Sequence, residues 1–234
     1  MAINEAGVYM GYTLNKKNIN VGKKIKLSSD SLSDVYMVNR GIALRVYKDN
    51  IDKSLVLSKD DCEYLSNLRS DRILLPKKLL YKNNNYCGYS FRLLNRSPGK
   101  EKMISTDMED FISDIEMLEE DIDLLSRKRV MLDGITPNNI VYSDGLYLTD
   151  ASQFKVLDVE EFDYKSLRKL NDYQVQLLIE SMIVSELRKE GVTNSQINDF
   201  IGLLEDRDPD LKQSKYYTKL FEYTDNIRQF VKRI

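Results

Sequence analysis

The chain has 234 residues, 42% of them hydrophobic and 31% charged, which is enough to bury one large core or two smaller ones. Its 35 Lys and Arg residues against 37 Asp and Glu residues give a formal charge of -2, which argues against a nucleic-acid-binding protein. The sequence contains no His, which excludes Ser-His-Asp and Cys-His catalysis and histidine-containing zinc sites. The only cysteines, Cys62 and Cys87, predict free thiols in a reducing compartment.

The amino-terminal residues contain no basic stretch followed by an apolar run, so we expect no signal peptide. No apolar run in the sequence approaches the ~20 residues that a membrane-spanning helix needs. We therefore expect a cytoplasmic protein that has no membrane or nucleic-acid partner.

The first part of the chain is predicted to be rich in β-structure, because apolar and polar residues alternate between short polar turns. The predicted strands are Lys24–Leu27, Val35–Val38, Ile42–Tyr47, Leu79–Tyr81 and Tyr86–Leu94. One helix is predicted among them, over Lys59–Arg69, with Ser58 as its N-cap.

After Pro98-Gly99 the pattern becomes mainly helical. The predicted elements are a helix over Asp107–Leu125, a hairpin of Ile140–Tyr142 and Leu146–Leu148 across Asp144-Gly145, and helices over Val175–Lys189, Asn194–Glu205 and Tyr216–Val231. We expect an α+β chain with a β-rich part at residues 1–95 and a helical part at 96–234, with the boundary near Asn95 to Gly99.

Five strands with a helix after the third, followed by a helical half, resemble the protein-kinase fold. Several stretches resemble kinase motifs: Leu27–Tyr36 the glycine-rich loop, Ala43–Lys48 the V-A-I-K strand, Leu132–Val141 the H-R-D-L-K-P-x-N-I-L catalytic loop, and Leu148–Ser152 the DFG region. The resemblance covers about Val21 to Ser185. It implies a two-lobe fold, with a β-rich N-lobe, a helical C-lobe and a cleft for ATP and Mg²⁺ between them.

The same resemblance implies the site residues of that cleft. Arg45 lies at the lysine position, Glu63 at the helix-C glutamate, and Asn139 and Asp150 at the positions of the magnesium ligands. Arg45 either contacts a ligand or forms a structural pair with Glu63. Asn139 and Asp150 either hold the metal or, respectively, brace the loop and cap a strand end.

Several motif positions depart from the kinase pattern. The three loop glycines are replaced by Ser28, Asp30 and Ser33, whose side chains obstruct the close approach of phosphate to the backbone. If the catalytic loop is aligned on Pro137–Ile140, Gly134 stands where the catalytic aspartate belongs. If it is aligned on Asp133, that residue is the catalytic candidate. Asp172 matches the buried aspartate that opens the large C-lobe helix and is predicted to brace the loop backbone.

These observations leave several functions open. The first is a degenerate, pseudokinase-like module that binds or regulates a protein partner, with or without nucleotide. The second is an active phosphotransferase on a protein or small-molecule hydroxyl that uses Asp133, Arg45 and Asp150. Nucleotide transfer with an inverted nucleotide and an interaction domain with no nucleotide site are the remaining hypotheses.

Overall fold

The computed structural model of the chain describes residues 12–14, 17–19, 24–25, 32–39, 41–94, 108–198 and 222. Within them, an antiparallel sheet forms the first part and two long helices dominate the second, so the expected α+β class is confirmed. The predicted boundary from Asn95 to Gly99 lies outside the described residues, and the division at residue 95 stays a prediction. None of the helices in the described part of the chain has the length and apolar character that crossing a membrane requires.

Seven strands form the sheet, in the spatial order β2-β1-β6-β7-β5-β4-β3, and every neighbouring pair is antiparallel. They are β1 Tyr12–Leu14, β2 Lys17–Asn18, β3 Lys24–Ile25, β4 Ser33–Asn39, β5 Ile42–Tyr47, β6 Lys78–Lys82 and β7 Asn85–Arg92. Asn83 and Asn84 connect β6 to β7 with positive φ angles of 52° and 64°, as a two-residue hairpin turn requires. Strand β5 therefore lies inside the sheet, between β4 and β7.

Helix α1, Lys59–Ser66, packs one face on the sheet through the buried residues Cys62 and Leu65. It begins where predicted, because the Ser58 hydroxyl accepts the backbone N–H of Asp61 at 3.0 Å. It ends before the predicted Arg69, because the Asn67 side chain donates to the Glu63 carbonyl at 2.9 Å and closes the last turn.

Between residues 108 and 189, the second part of the chain contains two long helices and two small antiparallel ribbons. These elements are α2 Met108–Arg127, β8 Val130–Met131, β9 Ile140–Tyr142, β10 Leu146–Leu148, β11 Lys155–Val156 and α3 Tyr164–Lys189. Strand β9 pairs with β10 as predicted, and β8 pairs with β11. Residues 194–198 are helical, and the rest of the two predicted carboxyl-terminal helices lies outside the described residues, apart from residue 222, which is also helical.

Helix α3 begins at Tyr164, well before the predicted start at Val175. Asp163 caps it, since its carboxylate accepts the N–H of Ser166 at 3.0 Å. The charged residues Lys165, Arg168 and Lys169 hide the apolar period of residues 164–174, where Leu167 is the only buried hydrophobic residue.

The sheet and the second part share one hydrophobic core, which includes residues of β5, β7, α1, α2, β10 and α3. The segment between α1 and β6 runs beside β10, where the N–H of Leu74 donates to the carbonyl of Leu148 at 2.8 Å and the N–H of Leu148 donates to the carbonyl of Arg72 at 2.9 Å. This attachment brings the end of β10, and Asp150 just beyond it, against the inner face of the sheet.

Candidate functional site

The structure brings Arg45 of β5 and Asp150 together. The guanidinium Nη2 of Arg45 lies 2.8 Å from Oδ2 of Asp150, and the two side chains are only 4% and 13% exposed. A charge in such a position is stable only with a partner, because removing it from water without one is costly. Arg45 and Asp150 therefore neutralise each other inside the protein.

The second arm of the Arg45 guanidinium is also engaged. Its Nη1 donates to the hydroxyl of Ser33 at 2.7 Å, and Ser33 is buried on the neighbouring strand β4. From the sequence, Ser33 is matched to the third glycine of the kinase pattern and Arg45 to its lysine, and the structure places the two side chains in contact. Ser28 and Asp30, at the other two glycine positions, lie outside the described residues.

Asp150 has hydrogen-bond partners on both carboxylate oxygens. Its Oδ1 accepts the backbone N–H of Ser152 at 2.8 Å, which holds the turn after β10. Its Oδ2 accepts from Arg45 and, at 3.4 Å, from the side-chain nitrogen of Asn139. Both oxygens of the carboxylate are thus engaged by groups of the chain itself.

Asn139 is buried and braces the loop that carries it, one of the two roles considered for it. Its side-chain oxygen accepts the N–H of Thr136 at 2.5 Å and the hydroxyl of the same residue at 2.8 Å. Its backbone carbonyl accepts the N–H of Thr149 at 2.7 Å, which ties the loop to the end of β10. Asn139 therefore turns its amide nitrogen, a donor, toward Asp150.

These contacts do not fit a magnesium ion between Asn139 and Asp150. Mg²⁺ requires oxygen ligands in near-octahedral geometry, whereas the oxygens of both side chains are engaged and a guanidinium cation lies against Asp150. Among the described residues no group of three or more Asp, Glu or Cys side chains could hold a metal ion either. The metal role of the two residues stays a prediction that this arrangement does not favour.

Glu63 lies apart from Arg45. It is exposed on α1, and its neighbour Cys62 occupies the inward position of that turn. In the part of the chain that the structure describes, the ion pair of Arg45 is formed with Asp150, and no pair with Glu63 occurs. The alternative of an Arg45–Glu63 pair is therefore wrong.

Asp133, the predicted catalytic residue, points to another partner. Its carboxylate forms an ion pair of 2.6 Å with Lys155 of β11 and also accepts the N–H of Gly134. Gly134 has a φ of +64°, and the side chain of Gln153 fills the space that a side chain at position 134 would occupy. Neither alignment of the catalytic loop therefore puts a carboxylate beside Asp150.

Residues Leu132–Val141 form the catalytic-loop-like segment, and the residue that braces it is Asn171, not the predicted Asp172. Because α3 starts early, position 171 lies on its inward face and is fully buried. The Asn171 side chain accepts the N–H of Leu132 and donates to the carbonyl of Val130 and the hydroxyl of Ser126, each at 2.9 Å. The sequence signal that could have identified it is a polar residue on the apolar line of Leu167 and Val175.

A cavity opens beside the Arg45–Asp150 pair. Its lining residues are Arg45, Leu74, Phe91, Arg92, Leu93, Leu94, Asn138, Asn139, Val141, Thr149 and Asp150. Its volume is about 30 Å³, whereas pockets that hold small-molecule ligands measure ~300–1,000 Å³. Among the described residues this cavity is smaller than a typical ligand pocket, and we call it the cleft.

The two thiols are free, as predicted, and offer no nucleophile. Burial raises the pKa of Cys62 to about 12 and that of Cys87 to about 12 as well. Only the thiolate attacks an electrophile, so we expect both groups to react slowly at neutral pH.

No protein-family model matches the sequence, and no curated protein sequence matches it either. Among solved structures, the chain is similar to the Mycobacterium tuberculosis PknI kinase domain and to a cysteine-to-alanine mutant of that domain, at 14% sequence identity in both cases. The TM-scores are 0.44 for the unmodified domain and 0.46 for the mutant, and the matches cover 68% and 64% of this chain. The chain spans less than two thirds of the length of these kinase domains, 64% and 62% respectively.

Proposed function

We propose that this chain is a pseudokinase-like binding module, with a two-lobe kinase-like fold, a closed nucleotide cleft and a protein as its partner. The single observation that carries the proposal is the buried Arg45–Asp150 ion pair. In this pair the guanidinium of Arg45 binds the Asp150 carboxylate, which in a kinase would bind a metal ion for phosphoryl transfer.

The order of elements supports the kinase-like fold. Helix α1 follows β5, the hairpin of β6 and β7 comes next, and α2, the catalytic-loop-like segment and the β9–β10 hairpin follow. The sequence alone matched three residues to kinase motifs, and Asp150 connects them. Its carboxylate accepts hydrogen bonds from Arg45 and from Asn139. The Arg45–Asp150 contact joins residues 105 positions apart in sequence.

The chemistry of phosphoryl transfer argues against an active enzyme. In kinases the lysine and the metal ions neutralise the phosphates, and an aspartate aligns the acceptor hydroxyl. Here Arg45 is committed to Asp150 and Ser33, and Asp133 is committed to Lys155. The active phosphotransferase would need both contacts to break before a substrate could bind.

Calorimetric titration with ATP, with and without Mg²⁺, tests the proposal. We expect no heat of binding for the wild-type chain at millimolar nucleotide, and no transfer of the γ-phosphate to a panel of proteins and small hydroxyl compounds. Arg45→Lys tests whether the guanidinium closes the cleft, because a lysine lacks the planar group that donates to Asp150 and Ser33 at the same time. Arg127→Lys is the matched control, since Arg127 forms an exposed pair with Asp123.

Micromolar binding that requires Mg²⁺ and disappears in Asp150→Ala would overturn the closed cleft. Phosphate transfer that Asp133→Ala abolishes would overturn the assignment as a pseudokinase-like module and restore the phosphotransferase. Heat that appears only in Arg45→Lys would support the proposal, because it would identify the guanidinium as the group that closes the cleft.

A further inference from the structure

Helix α3 has an exposed apolar strip that the proposed function does not use. Its members, Leu170, Tyr173 and Leu177, are 40%, 50% and 42% exposed. Because they are spaced by three and four residues, they lie on one line along the helix, which we call the α3 strip. The hydrophobic core packs on another side of the same helix, through buried residues such as Val175 and Ile179. Helix α3 is therefore apolar on two sides.

The shape of the α3 strip favours a single helix as the element that covers it. Isolated exposed leucines are ordinary in soluble proteins, whereas large apolar side chains at helical spacing form the kind of line along which helices pair. The strip is short, since Leu170 and Leu177 lie seven residues apart, or ~10 Å along the helix axis. A stable dimer interface buries about 800 Å² on each partner, which is more than three half-exposed side chains supply.

The chain itself carries a segment with a matching pattern, residues 222–234. Within this segment Tyr223, Ile227 and Phe230 follow at intervals of four and three residues, and polar or charged residues fill every position between them. These intervals predict an amphipathic helix whose apolar line also extends over seven residues. Glu222, the residue of this segment that the structure describes, is helical and exposed, as a residue off the apolar line should be.

The connection between α3 and this segment is long enough for the two to meet. The continuous described chain runs to residue 198, nine residues after the end of α3, and Ile197 is buried in the core there. The connecting residues 199–222 can span up to ~80 Å when extended, at ~3.3 Å per residue. Helix α3 has 26 residues and is ~39 Å long. Every point of the α3 strip is therefore within reach of the segment.

We propose that residues 222–234 form a helix that docks its apolar line on the α3 strip of the same chain. Two apolar lines with intervals of three and four residues pack at a shallow angle, as neighbouring helices of a bundle do. Docking within one chain is favoured over capture of a second molecule, because the connection keeps the segment at a high effective concentration near the strip. A protein partner of the proposed module must then bind elsewhere or displace the segment.

Cross-linking of introduced cysteines in the whole chain tests the proposal. Leu177→Cys and Ile227→Cys are combined with Cys87→Ala, while Cys62 stays because it is fully buried. A short bismaleimide should join the two introduced cysteines within one chain several times faster than it does in the matched control, which combines Leu177→Cys with Gln229→Cys. Gln229 lies two residues from Ile227 and therefore on the opposite side of the predicted helix.

Two results of the cross-linking would overturn the proposal. Equal rates in the two variants would mean that the segment presents no preferred side to the α3 strip. Cross-links that join two chains and double the mass, without a product inside one chain, would mean that a second copy covers the strip.

Binding of the hydrophobic dye anilinonaphthalene sulfonate is a second test that leaves α3 unchanged. Ile227→Gln weakens the apolar line of the segment, so its dye fluorescence should rise severalfold above that of the wild type. Gln229→Ala is the control and should keep the wild-type fluorescence. Equal fluorescence of the wild type and Ile227→Gln would overturn the proposal and leave the α3 strip open to a separate protein. If Leu177→Cys does not fold, this comparison still decides.

Discussion

The guanidinium of Arg45 lies 2.8 Å from the carboxylate of Asp150, although the two residues are 105 positions apart in the chain. One belongs to an interior strand of the sheet and the other follows the β9–β10 hairpin. Their contact joins the two parts of the chain by charge as well as by the shared core. It also explains why the kinase-like positions of this protein can be satisfied without a ligand.

Breaking this pair on one side should destabilise the fold strongly. Arg45→Met and Asp150→Asn each remove one partner of a buried ion pair, so each is expected to lower the free energy of unfolding by about 3–5 kcal/mol. Chemical unfolding of both single variants and of the double variant measures the effect. The double variant should lose less than the sum of the two single losses.

The control for that experiment is Arg127→Met, which removes an exposed pair with Asp123 and should leave the unfolding midpoint nearly unchanged. Strictly additive losses in the Arg45 and Asp150 variants would contradict a direct coupling between the two groups.

An aspartate at position 134, which is matched to the catalytic aspartate of kinases, should not produce phosphate transfer. In Gly134→Asp the new side chain meets Gln153, and the φ of +64° adds strain, so we expect a loss of stability and no phosphate transfer. Gly191→Asp is the matched control, because Gly191 also has a positive φ, of 86°, but has no atom in the space of a Cβ.

The control variant should lose about 1–3 kcal/mol from backbone strain alone, and Gly134→Asp should lose more. Thermal unfolding is measured for both variants and for Gly134→Asp combined with Gln153→Gly. The comparison separates the stability lost to the clash with Gln153 from the stability lost to backbone strain. Equal losses at the two glycines would show that Gln153 does not fill the site.

The sequence predicted the elements that depend on local pattern. The β9–β10 hairpin was found with its bounds, because Asp144-Gly145 marks the turn and the strands are uniformly apolar. Strands β1 and β2 were not predicted, because strands of only three and two residues are too short to show an alternating pattern. They are held in place by pairing, β1 with both β2 and β6.

Of the five predicted site residues, three lie together in the structure, whereas Glu63 and Asp133 lie elsewhere. Arg45, Asn139 and Asp150 were identified, and they do meet. The partner of Arg45 could not be predicted from the sequence, because the motif pattern does not say whether Glu63 or Asp150 lies closer to it in space. The orientation of α1, set by the inward side chains of Cys62 and Leu65, decides against Glu63. The brace was misplaced by one residue, from Asn171 to Asp172, because the start of α3 was misjudged.

Asn171 should be essential for the order of the catalytic-loop-like segment. Asn171→Ala leaves the N–H of Leu132 and the carbonyl of Val130 buried without partners, at about 1–3 kcal/mol each. Hydrogen exchange is expected to show faster exchange of the Leu132 amide, while Asn194→Ala, which changes an exposed asparagine, leaves it slow. Slow exchange at Leu132 in Asn171→Ala would contradict the brace.

The two cysteines should resist modification in the folded chain. Cys62 is fully buried and its pKa is raised by burial, so a thiol reagent such as dithionitrobenzoate is expected to reach it only when the chain opens. Cys87 is partly exposed and should react first, although slowly, because its pKa is raised too. Cys87→Ala isolates the reaction of Cys62, whose rate should rise with urea in step with unfolding. Rapid reaction of Cys62 in the native chain at pH 8 would mean that α1 does not stay packed on the sheet.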